Sequence, residues 1–417
     1  MPNNASPAAR KHELAPATVS QHLDKTETSP AGASLKTWIA ILALAIGCFT
    51  FVSSEMLPIG LLGPIAAGIH LSLGMTGLLV TGFALFVAIT AGPLTVLTAR
   101  FDRKWIMVGL MVVCLVGNAL AAVATTFTLL LLARIIVAMA IGVFWSIATA
   151  MAIRLVPQHQ AVRATSLVLG GLAVAAVLGV PLGTLIGQYF GWHAAFGALS
   201  LLSLVVCVAA LIVLPPLPSQ STGNLRAIID AFYHGQIRFI FFTTALVMTG
   251  NFLAYTYITP YLQDVSGIPA SWISSLLLLY GAAGVLGNFS IGSAMARSLR
   301  GALILTLTVL ALSMIMLWGV AQYKFAVIAL LVPWGMSYAA LPVLLQTWVF
   351  RAAGETGDVE AALSLFVVAF NGAIAIGALA GGLALDVFGA HVVVLLAAVI
   401  IALSLLLVLR SSHGRHR

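Results

Sequence analysis

One carboxylate in this sequence stands well inside a long apolar run. Glu13, Asp24 and Glu27 lie in a polar N-terminal stretch, and Asp102, Asp230, Asp264, Glu355, Asp358, Glu360 and Asp386 fall in loops or at the ends of apolar runs, whereas Glu55 has apolar residues on both sides. A charged side chain at the centre of a hydrocarbon layer costs about 2.5–3.5 kcal/mol on insertion scales, so each such residue points to a task. The task that suits a lone acid is carrying a proton. The competing reading is that its helix ends early and Glu55 marks the membrane interface, where an acid is cheap. Arg134 is the second charge in an apolar run. It either tunes the electrostatics of a central cavity or spends its donors on backbone carbonyls. Asn251 and Tyr255 share a helix face by their spacing of four, as do Trp334 and Tyr338. An amide beside an aromatic ring can serve a solute with hydroxyls and a flat apolar face, although aromatic residues in apolar spans also serve as packing or as interfacial belts.

Enzyme motifs are absent from the sequence. It has no GxxxxGK phosphate loop, no HExxH, no GxSxG and no histidine pair in a span at metal-ligand spacing. The expectation is a chain that is not an enzyme, needs no cofactor or metal and is not powered by a nucleotide site of its own. Cys48, Cys114 and Cys207 all fall inside apolar runs without paired spacing and read as small core residues.

The elements that must position these residues follow from composition. Of 417 residues, 61% are hydrophobic and 7% charged, against roughly 25% charged in a soluble domain. Apolar runs of 18 or more residues recur from Trp38 almost to the C-terminus, each long enough to cross about 30 Å of hydrocarbon as helix. Apolar length, loop charges and Gly/Pro punctuation place twelve helices near 37–62, 74–99, 105–124, 128–153, 163–189, 192–214, 237–261, 271–295, 301–321, 325–349, 360–384 and 389–410. The break after Pro215, Pro216 and Pro218 divides the chain into a 1–36 disordered tail, a six-helix half over 37–214, a linker over 215–236, a second half over 237–410 and a short tail over 411–417. No short apolar h-region with a cleavage site follows the first stretch, so it reads as a retained cytoplasmic tail.

The formal charge of +8 records topology rather than a nucleic-acid partner. Lys36, Arg100, Arg103, Lys104, Arg154, Arg163, Arg226, Arg238, Arg297, Arg300, Arg351 and Arg410 fall on one side of a twelve-helix plan, and Lys324 falls on the other. The positive-inside rule then puts both termini in the cytoplasm.

Glycine faces echo between the halves. Gly179, Gly183 and Gly187 line one side of the fifth helix, and Gly377 and Gly381 do the same on the eleventh. Small residues at this spacing let helices approach closely, and the matching positions suggest two parallel repeats with a solute site between them.

The stretches SSEMLPIGLLGPIA (Ser53 to Ala66), VFWSIATAMAIRLVP (Val143 to Pro157), VLGVPLGTLIGQYFGW (Val177 to Trp192) and AYTYITPYLQDVSG (Ala254 to Gly267) resemble the major facilitator superfamily. Within it they resemble the drug:proton antiporter branch and its bacterial sugar efflux transporters for arabinose and thiogalactosides. The likeness spans essentially everything after Thr37. There are departures. In LTARFDRKW (Leu97 to Trp105), Ala99 stands where the loop motif usually carries Asp, Ala138 replaces the glycine that follows Arg134 in the fourth-helix motif, and His193 replaces a common Arg.

The resemblance implies an all-α membrane protein in the major facilitator fold, in a bacterial inner membrane, acting as a monomer on small solutes and protons in a lipid bilayer. Glu55 would couple protons. Trp145, Asn251, Tyr255, Trp334, Tyr338 and Asn371 would bind sugar, with Arg134 tuning the cavity. Gly179, Pro181, Gly183 and Gly187 would form the antiporter packing motif. Efflux of amphenicols or other drugs, efflux of nucleosides, and a non-transport structural or receptor role are the alternatives.

A C-terminal alkaline phosphatase fusion should be inactive in intact cells and a C-terminal fluorescent protein bright. An active phosphatase would overturn the expected topology.

Overall fold

In the computed structural model the described residues are 34–218, 225–354 and 359–410. The tails expected over 1–36 and 411–417 lie outside them apart from 34–36, as do 219–224 of the linker and the acids Glu355 and Asp358. The described residues are helical throughout, without a strand, and twelve of the helices are long and apolar enough to cross a membrane. In chain order these are α1 (Leu35–Ile69), α2 (Leu73–Thr98), α3 (Arg103–Ala122), α4 (Phe127–Leu155), α5 (Gln158–Phe190), α6 (Trp192–Val213), α7 (Gly235–Tyr255), α8 (Ala270–Arg297), α9 (Leu299–Gly319), α10 (Lys324–Gly354), α11 (Val359–Phe388) and α12 (Ala390–Arg410). A short helix, Leu225–Tyr233, falls in the linker and packs on α11.

Helix ends follow local chemistry. Ser34, Ser72, Asp102, Thr126 and Ser298 each accept a first-turn backbone N–H through the side chain, supplying partners for groups that the helix leaves unpaired. Gly191 and Gly389 separate α5 from α6 and α11 from α12 at positive φ of 84° and 82°. Apolar side chains such as Leu201, Ile212, Phe289 and Leu383 are exposed around the bundle, as lipid-facing positions require.

Two helix limits differ from the sequence expectation. α1 was expected to stop near residue 62 but runs to Ile69, through both Pro58 and Pro64, and closes on His70 in the left-handed region. α7 was expected to reach 261 but breaks at Thr256 and Tyr257, then resumes as a short turn and a π-helical segment, Tyr261–Val265. Pro260 explains the break, since it has no N–H for the carbonyl of Thr256.

Glycines allow close approach at several helix pairs, two of which correspond in position. A Cβ on Gly171, Gly179, Gly183 or Gly187 of α5 would meet Ala45, Ser53, Leu57 or Leu61 of α1, in that order. A Cβ on Gly377 or Gly381 of α11 would meet Thr249, Leu253 or Tyr257 in or just beyond α7. The fifth helix thus lies on the first as the eleventh lies on the seventh. Buried apolar clusters form within α1–α6, and a third fills α7–α12 and takes in Ile59, Leu62, Val80, Ala84 and Val180. The two sets of helices meet mainly through α2 against α11 and α5 against α8.

What each glycine touches sets the cost of replacing it. At Gly171 the obstacle is the carbonyl of Ala45, which cannot turn aside; at Gly183 it is the tip of Leu57, which can. Gly171→Ala should lower the melting temperature of the purified protein, since overpacking costs about 1–3 kcal/mol. Gly183→Ala should be near neutral, because alanine adds about 1 kcal/mol of helix propensity. Gly183→Leu has no such escape. The reverse order of stability for the two alanine variants would refute the backbone-contact account.

Candidate functional site

The site begins with a hydrogen bond that α1 cannot make. In an α-helix the carbonyl of residue 54 is served by the N–H of residue 58, and here residue 58 is proline. Hydrocarbon offers no water in compensation. Arg134, on α4 and 1% exposed, fills the gap: its Nη1 donates to the Ser54 carbonyl at 2.5 Å and its Nη2 to the Glu55 carbonyl at 2.9 Å. Nη1 also lies 3.3 Å from Ser54 Oγ, and the guanidinium sits over the ring of Phe83 at 4.3 Å. Ser54 Oγ in turn donates to Asn118 Oδ1 at 2.8 Å, and Asn118 Nδ2 donates to the Cys114 carbonyl at 2.9 Å. Three helices, α2, α3 and α4, are thereby tied to one turn of α1.

Glu55 sits on that turn, about four helical turns before the end of α1 and half-buried. This is the interior of a helix, not the helix end that an interfacial acid would occupy. Its carboxyl lies within electrostatic reach of Arg134 and of Tyr338 on α10. The acid therefore has a buried cation within electrostatic reach on its own set of helices and a tyrosine within reach on the other.

That tyrosine belongs to an aromatic surface built from α7, α8 and α10. Tyr255, Tyr280 and Tyr338 stack with centroids 5.0, 5.6 and 6.1 Å apart and planes within 25° of parallel. Trp334 meets Tyr255 and Tyr280 edge-on and donates from Nε1 to Asn251 Oδ1 at 3.0 Å. Phe252 braces Tyr255 and Tyr338 from the side. Four residues singled out by sequence spacing, Asn251, Tyr255, Trp334 and Tyr338, are thus brought together. Tyr280 was missed, because no aromatic or amide residue lies four positions from it on α8.

Two others fall elsewhere. Trp145 on α4 packs edge-on against Phe144 within the α1–α6 core, and no ring contact joins it to the tyrosines. Asn371 on α11 turns its amide back to the Val367 carbonyl of its own helix at 3.0 Å, leaving its neighbour Phe370 to touch Phe252. Pro181 contributes its carbonyl, which accepts from Ser274 Oγ of α8 at 2.8 Å. Among the described residues no group of three or more His, Cys, Asp or Glu could hold a metal ion.

At the end of the bundle away from residues 34 and 410, the two sets of helices are latched. Asp386 at the close of α11 accepts from Ser72 Oγ at 2.7 Å and from the backbone N–H of Gly74 at 3.0 Å, so it caps α2 from across the interface. Tyr257 lies in the same seam, donating to the Ala378 carbonyl at 2.7 Å where a Cβ on Gly77 or Gly382 would strike its hydroxyl. Thr259 donates to the Ile59 carbonyl at 3.1 Å, and Gln188 to the Ala270 carbonyl at 2.7 Å. Sequence spacing gave no hint of this latch, because its partners lie more than three hundred residues apart at Asp386 and far apart elsewhere.

The family model of the Major Facilitator Superfamily matches residues 42–359. Among solved structures, a bacterial homologue of the human lysosomal transporter Spinster, in an inward-facing and unoccupied conformation, superposes with a TM-score of 0.67 at 16% identity, over 92% of this chain and 98% of that one. The same homologue in an inward-facing and occupied conformation gives 0.70 at 17% identity, over 89% and 96%. The nucleoside transporter NupG gives 0.74 at 14% identity, over 90% and 99%. At these identities the likeness is one of fold.

An exposed carboxylate at a helix N-terminus is worth about 0.3–1 kcal/mol. In a background lacking the native cysteines, Asp386→Ala should therefore raise the rate of thiol labelling at Leu73→Cys by roughly twofold to fivefold. An unchanged rate would mean that Asp386 does not hold this end closed.

Proposed function

Because the chain belongs to the Major Facilitator Superfamily and is a multi-pass membrane transporter, we propose that it exports sugars, arabinose or thiogalactosides among them, in exchange for protons entering the cell. On this reading it works as a monomer in a bacterial inner membrane with both termini cytoplasmic, as two six-helix halves that rock about the solute site.

The observation that carries the proposal is the opposition of Glu55 to a neutral aromatic and amide surface contributed by the other set of helices. Sugars bury one apolar face against aromatic rings and hydrogen-bond with their hydroxyls. A coupling acid must exchange its proton with both sides in turn, and Glu55 stands at the helix interior where a change of exposure would follow from rocking. Each proton entering down a potential of about 100 mV supplies about 2.3 kcal/mol, enough to sustain roughly a fiftyfold gradient of a neutral solute at one-to-one exchange.

Arg134 gives the acid a conformational effect. Its donors serve the Ser54 and Glu55 carbonyls in the present geometry. A deprotonated Glu55 is a stronger acceptor on the same turn and competes for those donors. Loss of the proton would then loosen the splint across the proline gap and let α1 bend there, whereas reprotonation restores it.

Glu55→Gln keeps size and polarity without a transferable proton. Everted vesicles carrying it should insert the protein normally and lose proton-driven sugar uptake, while equilibrium solute binding persists. Full uptake with sugar-dependent proton release would rule Glu55 out as the carrier. In intact cells overproducing the wild type, labelled arabinose should fall below control levels, and a rise would reverse the direction. Parallel growth on arabinose, amphenicol and nucleoside gradients separates the sugar reading from the drug and nucleoside ones.

A further inference from the structure

Two polar groups in the aromatic cluster have no hydrogen-bond partner. Tyr280 Oη and Asn251 Nδ2 are both buried and unpaired among the described residues, on side chains that are 4% and 0% exposed. A buried donor left unsatisfied is costly, and such groups in a well-packed protein call for an explanation. Asn251 is already oriented, since its Oδ1 is held by Trp334 Nε1, which leaves Nδ2 as the free end. Tyr280 is oriented by its ring, fixed between Tyr255, Tyr338 and the edge of Trp334. Packing alone does not account for the tyrosine hydroxyl, because phenylalanine would make every one of these ring contacts without the unpaired group.

Resting on the export reading above, we propose that Tyr280 is a specificity-determining residue of the solute site, its hydroxyl and the Asn251 amide reserved for hydroxyl groups of a neutral, polyhydroxylated solute. Tyr338, the partly exposed member of the stack, lies against the Tyr280 ring, and its displacement would open the cluster to the solute. The chemistry excludes a cation as the preferred occupant. The tyrosine faces are already turned onto one another rather than around an open cage, and the buried Arg134 guanidinium offsets the charge that Glu55 would offer. A donor set of one phenol and one amide, with no free charge beside it, matches hydroxyls in a way that a site for an apolar drug would not.

Tyr280→Phe is the test, in the full-length protein purified in detergent and in everted vesicles, with labelled arabinose and a thiogalactoside as probes. The melting temperature of the solute-free variant should be unchanged or higher, because an unpaired buried group has been removed. The apparent Kd and transport KM for the better probe should rise by about threefold to tenfold, the worth of one neutral hydrogen bond. Among monodeoxy arabinoses, the derivative lacking the hydroxyl that Tyr280 serves should bind wild type and variant alike. Unchanged affinity for both sugars in a wild type that does export them would overturn the role of Tyr280 and leave the export reading standing. Weaker binding accompanied by a lower melting temperature of the solute-free protein would also overturn it, by showing the hydroxyl to be structural. A wild type that binds and exports neither probe would overturn the export reading, and this proposal with it.

Discussion

The Ser54 carbonyl is the point on which the site turns. A membrane helix cannot hand an unpaired carbonyl to water, so Pro58 in the middle of α1 creates a demand that another side chain must meet. Arg134 meets it with a charge, and the charge is tolerable there because two backbone carbonyls and the nearby Glu55 carboxyl share it. Asn118 of α3 then holds the same turn by accepting from Ser54 Oγ. The proline, the arginine and the acid form one arrangement: remove the proline and the carbonyl needs no arginine, remove the arginine and the carbonyl is left unpaired and the acid loses its neighbouring cation.

Glycine supplies the second half of the design. α5 can lie against α1, and α11 against α7, only where side chains are absent at the crossing points. These two pairs grip the helices that carry Glu55 on one side and Asn251 with Tyr255 on the other. At the candidate site the buried charges, Glu55 and Arg134, come from α1 and α4, and the tyrosine, tryptophan and amide cluster comes from α7, α8 and α10. The latch of Asp386 on the N-terminus of α2, with Tyr257 in the adjoining seam, joins the sets at one end and leaves the site's setting dependent on how that end is held.

Much of this was legible in the sequence, and the exceptions have physical reasons. Twelve spans, the lone interior acid and the glycine faces each leave a local signature in apolar length, charge or spacing. The end of α1 lies beyond the expected 62, since the helix continues through Pro64 to Ile69 and closes on His70. Asn251, Tyr255, Trp334 and Tyr338 were found because pairs four apart share a helix face. Tyr280 has no such companion on α8 and becomes visible only when three helices converge. Trp145 and Asn371 came from resemblance rather than spacing, and in this geometry their contacts belong to α4 and α11 packing. Contacts between distant helices, such as Asp386 with Gly74, have no periodic trace at all.

On the export reading, Tyr338 is where proton and solute meet. It stacks on Tyr255 and Tyr280 and lies within electrostatic reach of Glu55. On the same reading, a solute that pairs with Tyr280 would displace the Tyr338 ring stacked on it, and that movement would change what lies near Glu55. A neutral Glu55 tolerates an apolar ring edge beside it, whereas a charged one favours a hydroxyl or Arg134. Occupancy of the aromatic cluster and protonation of the acid would then bias one another through a single side chain. Such reciprocal bias is what an exchanger requires, since a coupling free energy acts equally in both directions.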